Sequence, residues 1–287
     1  MEKSIKKYWP IFVLPTLAAF IIGFIIPFAQ GMYLAFCKFT TIKNAVFVGF
    51  DNFTKIFTNE VFSKPFSDAF VLTAIFALTA TVLINALALS VALLLTRKLR
   101  GTNFFRTVFF MPNLIGGIIL GYIWQILLNC VLSLLGKPLL ALDSTAGYWG
   151  LIILMCWQQI GYMMIIYIAG LQAIPEELTE AAEIDGANSW VCFWKVKFRM
   201  IMPSITICTF LVLTNSFKLF DQNLSLTGGE PARATEMLAL NIYRTFYDIG
   251  GGKYKGVGQA EAVLFFILVT IISLFQLRST RSKEVQQ

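Results

Sequence analysis

The chain has 287 residues, 57% of them hydrophobic and 14% charged, with a net charge of +7. Soluble domains carry about a quarter charged residues. A chain with mean hydropathy +0.72 lacks the polar surface for water and needs lipid to cover the excess. The Lys and Arg residues form short clusters between apolar runs rather than one basic face, which excludes a nucleic-acid-binding role.

Crossing the hydrocarbon takes about 20 mostly apolar residues in a helix, because every backbone polar group must be bonded within the segment. In chain order, six stretches meet this or nearly do: residues 11–36, 69–96, 107–129, 148–171, 200–220 and 259–277. The expected fold class is therefore all-α, a polytopic membrane protein of about six transmembrane helices in a single transmembrane domain. The first run follows Lys3, Lys6 and Lys7, as in a signal peptide, but it is long and has no small-residue cleavage site, so it is expected to stay as a helix. More than half of the basic residues fall in alternate loops and tails: Lys3, Lys6, Lys7; Arg97, Lys98, Arg100, Arg106; Lys195, Lys197, Arg199; Arg278, Arg281, Lys283. The positive-inside rule then puts both termini and the loops around Arg100 and Glu180 in the cytoplasm.

Several chemistries are excluded. With no His in the chain, His-based catalysis and H-E-x-x-H metal sites are absent. Cys37, Cys130, Cys156, Cys192 and Cys208 form no C-x-x-C pair, so neither zinc nor a disulfide framework is indicated. The run Gly250-Gly251-Gly252-Lys253-Tyr254 lacks the first Gly and the final Ser or Thr of a P-loop. No internal repeat argues for an inverted-repeat carrier.

Between the fourth and fifth spans lies a polar island, about 173–199, that reads as two short helices. Pro175 suits a first helical position, Glu176 and Glu177 complement the helix dipole, and Asp185-Gly186 supplies a C-terminal stop. Asn188 or Ser189 can cap the second helix. The first helix is too short to stand alone in water and must pack on something.

Here the sequence resembles a known family. Glu180-Ala181-Ala182-x-x-Asp185-Gly186-Ala187 is similar to the EAA loop of bacterial ABC importer permeases, within the binding-protein-dependent sugar permease family. The resemblance implies that the loop is a cytoplasmic coupling helix seated in a groove of an ATPase subunit, so that these six named residues couple ATP hydrolysis to the pore. Partners implied are a second homologous permease, two ATPase subunits, an extracellular or periplasmic sugar-binding protein and the sugar itself. No cofactor is expected in this chain, ATP and Mg being bound by the ATPase, and no catalytic or metal-binding residue is expected.

Other segments resemble the family too. Phe47-Val48-Gly49-Phe50-Asp51-Asn52-Phe53 matches its outer segment, residues 97–112 its first cytoplasmic loop, and Leu226-Thr227-Gly228-Gly229-Glu230-Pro231 with Thr235-Glu236-Met237 the outer loop after the fifth span. Two departures stand out. Arg199 occupies a position where the family usually has Pro, with Pro203 retained, and Glu230 interrupts a more usual Gly-Gly-Pro.

Polar residues inside spans are expensive and face a cavity or another helix. Asn113, Gln158, Gln159, Tyr162, Asn215, Ser216 and Lys218 are such residues, and Trp157 or Tyr162 offers an aromatic face to a sugar. The resemblance to maltose-type permeases implies that the positions of Asn113, Gly117, Gln158, Gln159, Tyr162, Ser216 and Lys218 line the substrate path, Tyr162 alone keeping its residue type. A different sugar, or a sugar site held mainly by the partner permease, stays open.

The same residues have plainer readings: the amides bond across helices, Lys218 and Asp221 pair three apart on one helix face, and Gly117-x-x-x-Gly121 lets helices approach closely. Two other functions remain as alternatives. One is an ABC permease for a non-sugar solute; the other is an ion-coupled carrier using Lys218, Asp221 or Glu261.

Overall fold

The structure, a computed structural model, describes residue 11 and residues 13–97 and 100–281. Of the orienting basic residues, Lys3, Lys6, Lys7, Lys98 and Lys283 lie outside the described residues.

Among the described residues the chain is built almost wholly of helices, and five of them are long and apolar enough to cross a membrane. These are α1 (Val13–Leu34), α3 (Glu60–Leu95), α5 (Gly117–Leu134), α6 (Ser144–Gln172) and α11 (Lys255–Arg281). A sixth span is a bent pair, α8 (Ser189–Met200) followed by α9 (Met202–Phe217), with 67° between them. Shorter helices are α2 (Asp51–Thr58), α4 (Thr102–Phe110), α7 (Glu176–Ile184) and α10 (Leu238–Tyr247).

The all-α class holds, with one small addition: β1 (Cys37–Lys38) and β2 (Val46–Phe47) pair antiparallel beyond the end of α1. Two expected spans need correction. The stretch 107–129 is not one helix: α4 gives way to a 3-10 turn, Met111–Leu114, and α5 begins only at Gly117. Pro112 withdraws a backbone donor, and Ile115 and Gly116 are extended, so the helical ladder cannot run through. The stretch 200–220 likewise stops at Phe217, with Lys218 as its C-cap. The bend at Ile201 forms without Pro at 199; Pro203, in the first turn of α9, is the proline that starts the new helix.

The chain divides into two compact units: the residues up to Lys64 with Ile242–Phe266, and Pro65–Asn241 with the residues from Ile267 onward. In the first unit, α1 meets α11 through Phe28 and Phe266, whose rings are 5.1 Å apart. Asn52, buried, donates both amide hydrogens, to Ala35 O and Cys37 O at 2.9 Å each. A Cβ on Gly256 would lie 2.3 Å from that same Cys37 O, so only Gly fits where α11 begins.

In the second unit the core joins α3, α6 and α9. From α3 come Phe76, Ala80, Ile84, Ala88 and Ala92, a stripe at four-residue spacing. Lipid gives no hydrophobic drive to helix association, so close packing of small residues must supply it. Gly161 shows the same device: a Cβ there would fall 1.8 Å from the Phe109 carbonyl oxygen. Asp143 caps α6, its carboxylate accepting from Thr145 N and Ala146 N, and the Tyr167 hydroxyl donates to Asn85 Oδ1 at 2.6 Å.

Candidate functional site: a projecting helix and a polar seam

The first feature is α7 and its exit. Pro175 is the N-cap rather than the first helical residue, and Glu176 and Glu177 form the first turn, where the dipole favours anions. At the other end Gly186 has φ +83°, the left-handed region that glycine enters without strain. Gly186 N donates to Glu183 O at 3.0 Å and Ala187 N to Ala182 O at 2.9 Å. That pair of bonds is a Schellman stop, so Ala182, Gly186 and Ala187 fix where the helix ends. Asn188 then caps α8, its Oδ1 accepting from Val191 N at 2.9 Å.

None of the nine α7 residues is buried, and Ile184 is 87% exposed. Glu180, Ala181 and Asp185 are exposed and Ala182 and Ala187 half-buried. Trp190 and Trp194 of α8, ring centroids 5.7 Å apart, are also exposed. A two-turn helix with an apolar tip outside its own chain has little reason to persist in water without a further surface to rest on.

The second feature is a seam of amides around α6. Gln158 Nε2 donates to Ile115 O at 3.3 Å, and Gln158 Oε1 accepts from Gln222 Nε2 at 2.7 Å. Its neighbour Gln159 accepts from Asn215 Nδ2 of α9 at 3.3 Å. Successive residues of one helix thus engage the backbone at the α4/α5 break, the segment after α9 and α9 itself. Trp157 is half open and packs edge-on to Trp124, 5.5 Å between centroids; Tyr162 is partly exposed beside Phe110. Asn113 sits in the 3-10 turn rather than inside a span and is half-buried.

Three candidates fall away from this seam. Ser216 is fully buried and donates to Val212 O of its own helix at 2.7 Å. Gly117 faces Asp221 and Gln222, which a Cβ would meet at 2.8 and 3.0 Å, and Gly121 faces Ser225. The glycine pair therefore seats α5 on residues 221–226, Gly121 against the π-helical segment Asn223–Thr227 and Gly117 against the two residues just before it. Lys218, exposed, forms no ion pair with Asp221, because the helix ends between them and they share no face.

Sequence reasoning missed Gln222 and Gln125. Gln222 lies beyond any predicted span, so its contact with Gln158 has no signal in the sequence; Gln125, which donates to Leu226 O at 2.9 Å, carries the same signal as Gln158, an amide inside an apolar run.

Residues 84–284 match the family described as binding-protein-dependent transport system inner membrane component. The chain belongs to that family. A probable starch degradation products transport system permease protein of Thermoanaerobacterium thermosulfurigenes is 43% identical, covering 97% of this chain and 95% of that one. A multiple sugar-binding transport system permease protein of Streptococcus mutans is 32% identical over 99% of both. In structure, this inner membrane component superposes on a chain of a bacterial ABC transporter involved in the import of the acidic polysaccharide alginate. The TM-score is 0.81, with 98% of each chain covered and 21% identity, which establishes a common fold.

Proposed function

We infer that this chain is the membrane-spanning permease subunit of an ATP-driven carbohydrate importer, forming half of the translocation path. A second, similar permease supplies the other half, two ATPase subunits drive the cycle with ATP and Mg, and a sugar-binding protein outside delivers the substrate. The chain does no chemistry on the sugar. The names of its relatives at 43% and 32% identity support the carbohydrate class.

The observation that carries the coupling role is α7: a short, sharply terminated helix whose side chains its own chain does not bury. In this reading both termini and α7 are cytoplasmic, and Glu180, Ala181, Ala182, Asp185, Gly186 and Ala187 form the part that meets the ATPase. The exposed Ile184 tip supplies apolar contact. Gln158, Gln159, Trp157, Tyr162, Asn215 and Asn113 lie along the sugar path, with amide donors and acceptors and two aromatic faces.

Ile184→Asp tests the coupling role without disturbing packing, since that side chain is almost wholly outside the fold. The assembled transporter should lose copurifying ATPase, with sugar-stimulated ATP hydrolysis falling about ten-fold, equivalent to roughly 1.4 kcal/mol of association. Glu180→Lys should act in the same direction. Undiminished association and hydrolysis in both variants would overturn the coupling role.

A further inference from the structure

The first unit holds a cleft of about 520 Å³, within the roughly 300–1,000 Å³ range of small-molecule sites, and none of its lining residues belongs to α7 or the amide seam. It lies between the β1–β2 hairpin, α2 and the start of α11. Its charge is one-sided: Lys38, Lys55 and Lys253 line it, and no Asp or Glu does. Lys55 is shared with Asp51 one turn earlier on α2. Lys38 and Lys253 are exposed and have no carboxylate partner among the described residues. A fourth cation, Lys255, is already committed, donating to Thr40 O at 3.0 Å and lying 5.7 Å above the Phe246 ring.

The cleft sits where two spans end together. α1 finishes at Leu34 and α11 starts at Lys255, and the two are in contact near these ends, where a Cβ on Gly31 would meet the Gln259 amide at 2.9 Å. Rings stand on the elements that form the cleft or end beside it: Tyr33 and Phe47, both exposed, stack at 6.4 Å, and half-buried Phe36 packs edge to face with exposed Phe50 at 5.3 Å. Phe47 and Phe50 are 63% and 71% exposed. Aromatic rings with lysines at the end of a span mark the headgroup level of a bilayer, where long cationic side chains reach the phosphates. The apolar part of the wall, Val46, Val48 and Val257, suits the glycerol and upper acyl region better than a freely hydrated ion.

We propose that this cleft binds the headgroup of an anionic membrane phospholipid, with Lys38 and Lys253 as the phosphate ligands and Lys55 as a third cation. The lipid would bridge the hairpin to the start of α11, tying together the ends of α1 and α11.

The test uses the assembled transporter in phosphatidylcholine vesicles with and without phosphatidylglycerol, followed by native mass spectrometry of retained lipid. The intact protein should retain phosphatidylglycerol, and Lys38→Gln with Lys253→Gln should lower retention on the order of ten-fold. Lys43→Gln, a lysine of the same hairpin that does not line the cleft, should leave it unchanged. Inorganic phosphate should not displace the lipid. Equal retention by the double variant overturns the proposal. So does displacement by phosphate, which would mean a site for free anions, or loss of the sugar-binding protein with lipid retained, which would mean a site for a partner's carboxylate. Should the double variant not assemble, the two single variants carry the same comparison.

Discussion

Two spans of nearly equal hydropathy have opposite surroundings. α1 has a mean hydropathy of 2.0 and none of its most apolar window is buried, whereas α6 has 1.8 and 67% is buried. Apolarity therefore says that a helix can cross a bilayer, not whether it meets lipid or protein. The difference lies in the residues between the large apolar ones. α6 carries Gly150, Gly161 and Gly170, each held against another element, and adjacent amides bonded in two directions. In α1, Gly23 has nothing within 4 Å of where a Cβ would stand.

The sharpest way to break the comparison is a matched pair of substitutions. Gly161→Ala places a methyl group against a backbone carbonyl that cannot rotate away, and should destabilise by about 3 kcal/mol, read as a lower unfolding midpoint in detergent. Gly23→Ala should be neutral or stabilising by up to about 1 kcal/mol, since Ala is the better helix former. Equal effects would remove the distinction between the two spans.

A smaller effect is expected at Asn223, which is fully buried beside the core helices. It donates to Thr235 O and Thr227 Oγ1 and accepts from Met237 N, all within 2.8–3.0 Å. Asn223→Ala should cost about 2 kcal/mol, because the partners keep their burial and lose their bonds. The smallest stability change belongs to Gln158→Leu and Gln159→Leu, about 1 kcal/mol each, the usual worth of an amide bond between membrane helices. If these amides also meet sugar, uptake should fall several-fold while the unfolding midpoint barely moves. Parallel losses in both would leave them a packing role alone.

Much of the fold was legible because the bilayer imposes a length: the long apolar runs could hardly be other than helices. The projecting helix was legible because its stop is local chemistry, a glycine in a left-handed conformation and two short-range backbone bonds. The places where reading failed share a cause. Hydropathy windows average over Pro112 and Gly116, so the 107–129 stretch reads as one span, although one proline and two extended residues suffice to divide it. Counting three residues along a helix puts Lys218 and Asp221 on one face, but that helix ends at Phe217. Gly117 joined the path through resemblance, while its surroundings make it a contact with Asp221 and Gln222.

The linear order of residues was enough to set the membrane as solvent, the approximate spans, the capped helix between the fourth and fifth of them, and the family. The first three follow from composition over about 20 residues or from bonds within five, and the family from the resemblance carried by Glu180–Ala187 and the segments around it. Which amide meets which, that Gln222 closes on Gln158, that Ser216 turns back on its own helix, and that three lysines far apart in the chain share one cleft were decided only by packing. Side chains on separate helices are brought together by shape and close approach, and no local pattern along the chain encodes that meeting.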